Sequence, residues 1–159
     1  MDHQAGRMLD TVSMSIAGIW QRIGADTQIG EAAALCLRRS KAGPRVLLVT
    51  CRRSGRWIVP QARVGEGEDA AETACHAAWR QAGVRASPER RMPLGIFDAL
   101  RPCCADPNDV WRVHAFLVGV RRLADSYPQS ADRERRWFTP QEAAQRVLEP
   151  GLKTILGRL

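Results

Sequence analysis

The segment from Asp69 to Gly83 constrains the fold more than any other, because it marks both ends of a helix. Asp69 is a capping residue, and Glu72 three positions on completes a capping box. Gly83 fits a left-handed stop, where a missing Cβ removes the steric cost. Ala70, Ala71, Ala74, Ala78, Trp79 and Ala82 supply the helix-forming interior, so a helix is expected over 70–82. It is flanked by apolar runs too short to be helices. Val46 to Cys51 and Trp57-Ile58-Val59, ended by Pro60, precede it. A strand around Gly95-Ile96-Phe97 and another over Trp111 to Val120 follow. Ile29 to Leu37 is a further strand candidate, closed by the polar stretch Arg38 to Pro44. Arg53-Ser54-Gly55 is turn chemistry, Val84 to Arg91 a connector, and Asp125 to Arg135 a polar loop. Thr139-Pro140-Gln141-Glu142 opens a second helix that should end near Leu148, and Pro150 can open a short third. The order strands, helix, strands, helix predicts an α/β fold: a mixed sheet with helices on both faces.

At 159 residues, the chain has the length of one domain, and its 45% hydrophobic and 26% charged fractions are those of a globular protein. No apolar run approaches the roughly 18 residues of a membrane span, so none is expected. Residues 1–25 read as an N-terminal extension and 26–159 as the domain. Met8, Val12, Ile16, Ile19, Trp20 and Ile23 share one helical face, as in a packing or partner helix. Met8 and Met14 are also possible starts, which would leave part of the segment untranslated. It is a poor secretory signal, since Asp2 and Asp10 interrupt it. Five cysteines without repeated spacing are not a disulfide framework, and three scattered histidines make no zinc site. A cytoplasmic location is the resulting expectation.

Of 24 cations, all but Lys41 and Lys153 are arginine. No acid occurs between Ala32 and Gly65, where Arg38, Arg39, Lys41, Arg45, Arg52, Arg53, Arg56 and Arg63 all fall. Arginine presents a planar fork of donors suited to phosphate and carboxylate. Nucleic acid is not the expected partner, because Trp57 alone among these cations is not a stacking platform.

The stretch from Arg56 to Val84 resembles the Nudix hydrolases, whose box reads G-x5-E-x7-R-E-U-x-E-E-x-G-U with U aliphatic. Ala62 takes the first Gly, Glu68 the first Glu, His76-Ala77 the Arg-Glu pair, Arg80-Gln81 the Glu-Glu pair, and Gly83-Val84 the close, without a gap. Outside the box, Val46-Leu47-Leu48-Val49-Thr50, Gly55 to Pro60, Pro93 to Phe97, Arg136-Trp137-Phe138 and the Glu142 to Val147 helix look like the diphosphoinositol-polyphosphate branch. The resemblance covers about residues 27–159 and implies a Nudix-type α/β/α sandwich with a mixed sheet.

The departures bear on activity. In the family, box carboxylates bind divalent metal, which neutralises a diphosphate and activates water. The glutamates the resemblance expects at 77, 80 and 81 are Ala77, Arg80 and Gln81, and His76 replaces the arginine of the pair. A unit positive charge about 4 Å from a divalent ion is repelled by roughly 8 kcal/mol at an effective dielectric of about 20. The expectation is therefore a Nudix-fold protein without metal-dependent hydrolysis and without a metal. It would bind a diphosphate-containing small molecule, or a protein, in the former catalytic cleft. The resemblance implies that Arg52 and Arg56 face substrate phosphates, and Arg80 would join them at the old metal position. The first alternative is a divergent hydrolase of a nucleoside diphosphate derivative or inositol pyrophosphate. Its Mg2+ would depend on a rebuilt set of Glu68, Glu72 and His76, which are spaced four apart. The second alternative is a protein-interaction module using the Met8 to Ile23 face. Neither the ligand nor the oligomeric state is legible in the sequence.

Overall fold

The computed structural model of the protein describes residues 30–100 and 110–159. The expected N-terminal helix and the loop cysteines Cys103 and Cys104 lie outside the described residues.

Among the described residues seven strands form one sheet: β1 (Glu31–Ser40), β2 (Gly43–Thr50), β3 (Trp57–Ile58), β4 (Gln61–Arg63), β5 (Val84–Leu100), β6 (Val110–Leu123) and β7 (Arg135–Phe138). The main path is β3-β2-β1-β6-β5, with β4 paired to β1 and β7 to β2. The β1–β6 pair is parallel and the other described pairs are antiparallel, which makes the expected mixed sheet.

Alternation along the strands divides the core in two. Ala33, Leu35, Val46 and Leu48 point to one face, where they meet Ala143, Val147, Leu152, Ile155 and Leu156. Ala32, Ala34, Cys36, Leu47 and Val49 point to the other, where they meet Ala74, Ala78 and Ala82. The first face is covered by α2 (Pro140–Arg146) and α3 (Pro150–Leu156), the second by α1 (Ala70–Ala82). A period of two on each strand thus yields a helix–sheet–helix sandwich. Small alanines on both α1 and β1 let the helix lie close against the sheet.

The helix ends follow their local chemistry. The Asp69 carboxylate accepts from the Ala71 and Glu72 N–H groups at 2.8 and 3.1 Å. Among the described residues Glu72 returns no bond to the Asp69 N–H, so the cap is one-sided rather than the full box expected. Thr139 and Glu142 do form the full box, with Pro140 in the first turn, and α2 ends at Arg146, short of Leu148. Gly83 closes α1 with φ 67°, the left-handed conformation.

Three expectations are corrected, and one short strand is added to those read from the sequence. β1 runs through Arg38 and Arg39 to Ser40, because these residues pair with Arg45 to Gly43 in a tight hairpin. The stretch from Val84 to Arg91 belongs to β5, pairing with β6 across shifts of register. Arg135 lies in β7, against Val49, rather than in a loop. Gln61 to Arg63 forms the short strand β4 against β1.

Candidate functional site

Along α1, on the side facing β4, lies a cleft of about 760 Å³. Arg63, Glu68, Glu72, His76, Arg80 and Gln129 are among the residues that line it, with Ala62, Ala77 and Gln81 at its base. The helix spacing accounts for this set: Glu72, His76 and Arg80 follow at four-residue steps and share one face. The turn carrying Gln129 docks on the end of α1, its N–H donating to the Arg80 carbonyl at 3.0 Å.

The positions where the resemblance expects carboxylates have separate surroundings. Ala77 is 2% exposed, at the base of the cleft. Gln81 is buried and its amide closes a ring with the backbone of β4: Nε2 donates to the Gln61 carbonyl at 2.8 Å and Oε1 accepts from the Gln61 N–H at 3.3 Å. A carboxylate at this position has no donor to offer that carbonyl. Gln81→Glu is therefore expected to lower stability by about 2 kcal/mol, read by chemical denaturation, since it leaves a buried acceptor unpaired and sets an anion against it. An unchanged midpoint would show that the amide ring contributes little. Arg80 is exposed and, among the described residues, its guanidinium has no hydrogen-bond or ion-pair partner.

Glu68, Glu72 and His76 also line the cleft, but Glu68 is engaged locally. Its Oε2 accepts from the Gly65 N–H at 3.0 Å and lies 3.5 Å from the Thr73 hydroxyl. A Cβ at position 65 would lie 2.8 Å from the Glu68 carboxyl carbon, so glycine there lets the carboxylate fold back on the loop. Among the described residues no three His, Cys, Asp or Glu side chains are grouped as a metal ion needs.

Of the arginines expected near phosphate, Arg80 lines the cleft and the other two point elsewhere. Arg56 donates through Nη1 to Glu149 Oε1 at 2.9 Å, beside the start of α3 on the opposite face of the sheet. Arg52 is exposed and 3.9 Å from Asp132, one turn behind Gln129. Arg63, in the basic block but not singled out by the sequence, lines the cleft. Its place on β4 next to Ala62 is the signal that could have found it. A second residue the sequence did not single out is Arg135. It donates to the Ala82 and Ala124 carbonyls at 2.7 and 2.8 Å and fastens the end of α1 to the sheet.

Chemically, the cleft is lined by the guanidinium side chains of Arg63 and Arg80 and by an acidic helix start at Glu68, Asp69 and Glu72, with the Arg63 guanidinium over the Trp111 ring, 5.4 Å from its centroid. That arrangement suits an anion held at the Arg80 end.

The chain is similar to known proteins over most of its length. The human diphosphoinositol polyphosphate phosphohydrolase 3-alpha is 28% identical over 115 residues, which cover 71% of this chain and 65% of that protein. The chain thus spans about 65% of the length of the curated relatives it matches first. A solved Ap4A hydrolase binary complex from C. elegans superposes with a TM-score of 0.65 at 14% identity, covering 82% of this chain and 94% of that one. A Nudix hydrolase structure from Nitrosomonas europaea superposes with a TM-score of 0.63 at 15% identity, covering 82% and 87%. At these identities the structures bear on the fold, which they share. The model of the NUDIX domain matches residues 29–159, nearly the whole described fold, and the chain belongs to the Nudix family.

Proposed function

We propose that this protein binds a phosphorylated ligand in the cleft along α1 without metal-dependent hydrolysis. The observation that carries the reading is Arg80: a guanidinium with no protein partner among the described residues lines the cleft where the family resemblance expects a metal ligand. Two features support it. Ala77 and Gln81 carry no charge, and the buried Gln81 amide is engaged by the Gln61 backbone, so neither offers the cleft a metal ligand. The acids that remain do not fit a magnesium site, because magnesium needs several oxygen ligands in an octahedron and Glu68 is folded onto Gly65 and Thr73. The names of the curated relatives point to diphosphate chemistry, and a diphosphate-containing small molecule is the ligand class proposed. Arg80 and Arg63 would bind its phosphate oxygens.

Arg80→Glu tests this directly. Titration calorimetry with a nucleoside diphosphate in EDTA is expected to show at least about a tenfold loss of affinity, since one charge-assisted pair contributes roughly 1.5–3 kcal/mol. Equal affinity in the variant would remove Arg80 from the ligand and with it the reading.

A divergent hydrolase is the second reading. Glu68, Glu72 and His76 all lining one cleft is the observation that favours it. Turnover of nucleoside diphosphate derivatives or inositol pyrophosphates above the buffer blank, with magnesium or manganese, would establish it in place of the first.

A further inference from the structure

On the other side of α1 lies a second groove, of about 740 Å³, between the helix and the start of the β5–β6 ribbon. Arg85, Arg91, Arg121 and Arg122 line it, and none of its described lining residues is a carboxylate. Among the described residues Arg91, Arg121 and Arg122 make no ion pair. Arg85 lies over the Trp79 ring, 3.8 Å from its centroid. His76 lines both grooves, so it stands between this one and the α1 cleft.

The backbone gathers these charges by breaking its own alternation. Arg85 pairs with Arg122, but the next pair is Ala86 with Val120, so Arg121 has no residue opposite it. In a regular strand Arg121 and Arg122 would face opposite sides of the sheet. The extra residue is a bulge that lets both line one groove. A second shift, from Ala86 to Arg91 on β5, brings in Arg91. Like charges paired directly across strands destabilise a sheet. Arg85 opposite Arg122 is such a pair, and a bound anion would relieve it.

We propose that this groove is a binding site, separate from the α1 cleft, for a compact oligophosphate, a small molecule with consecutive phosphate groups. Four guanidiniums around one hollow match several closely spaced phosphate charges. The volume falls within the roughly 300–1,000 Å³ usual for small-molecule sites. Single-stranded nucleic acid fits less well, since it needs exposed rings for stacking and Trp79 is covered by Arg85.

Cys75 gives a local readout. It lines the groove and is half-buried; burial pushes its thiol up, while Arg91 pulls the other way. Alkylation of Cys75 is followed by peptide mass spectrometry with and without inorganic tripolyphosphate, in EDTA at about 0.15 M salt, where distant surface charges are largely screened. Saturating tripolyphosphate is expected to slow the reaction about tenfold in the native protein and in Arg80→Glu. The slowing is expected to vanish in Arg121→Glu/Arg122→Glu and to shrink in the milder Arg121→Gln/Arg122→Gln. An unchanged Cys75 rate in the native protein overturns the proposal. So does a slowing that is lost in Arg80→Glu but kept in the groove variants, which would assign the anion to the α1 cleft alone. Protection by an oligothymidylate and not by tripolyphosphate also overturns it, in favour of nucleic acid.

Discussion

Arg56→Ala is expected to destabilise the protein by about 4 kcal/mol, because it leaves a buried carboxylate without its counter-charge. Glu149 is 8% exposed and Arg56 Nη1 reaches its Oε1 at 2.9 Å. Its other oxygen, Oε2, is buried with no hydrogen-bond partner among the described residues, so no neighbour takes over when the guanidinium is removed. For a chain of this size the loss corresponds to a fall in Tm of roughly 8–16 °C. Arg56→Ala/Glu149→Gln should recover part of that fall, since it removes the charge as well as its partner. A single variant as stable as the native protein would show that the pair is solvated and structurally dispensable. The pair ties the turn before β3 to the start of α3, two elements 93 residues apart.

Gly83→Ala is expected to cost about 3 kcal/mol. A residue with a Cβ in the left-handed region is strained by about 1–2 kcal/mol, and overpacking adds about 1–3. Gly83 has φ 67°, and a Cβ there would lie 2.5 Å from Tyr127 Cδ1 and 2.9 Å from Arg135 Nη1. The Arg135 guanidinium stacks on Tyr127 and bonds the Ala82 carbonyl, so neither neighbour can move without releasing the end of α1. Denaturant unfolding reads the effect. A change below about 0.5 kcal/mol, the size usual for uninvolved surface sites, would mean that the helix end rearranges freely. Because Arg80 and Gln81 sit just before this stop, the variant should also weaken the ligand binding proposed for the α1 cleft.

The helix α1 was legible because all its signals are local. Asp69, the alanines and Gly83 each act within a turn of their own position, and the observed span of Ala70–Ala82 is the expected one. The short apolar runs were legible as strands, and their order implied the mixed sheet. What escaped was set by distant partners. Val84 to Arg91 holds Pro88 and polar residues and reads as a connector; it is a strand because β6 pairs with it through bulges. Gln61 to Arg63 is too short for a periodic signal, and it is held by β1. The same division holds in the site. Box spacing identified the helix that carries Glu72, His76 and Arg80, and the cleft contains all three. Spacing had no access to the bonding of Gln81 with Gln61, 20 residues away, or to the pairing of Arg56 with Glu149.

The α1 cleft is proposed to hold a phosphorylated ligand by its arginines without metal. Thermal shift with pyrophosphate and a nucleoside diphosphate, each in magnesium and in EDTA, tests it most directly. At about 100 times its dissociation constant a ligand adds roughly 2.7 kcal/mol of stability, a shift that is readily measured. The predicted result is equal stabilisation with and without magnesium, lost in Arg80→Glu. Stabilisation that appears only with magnesium would contradict the claim and make the cleft a metal-dependent site.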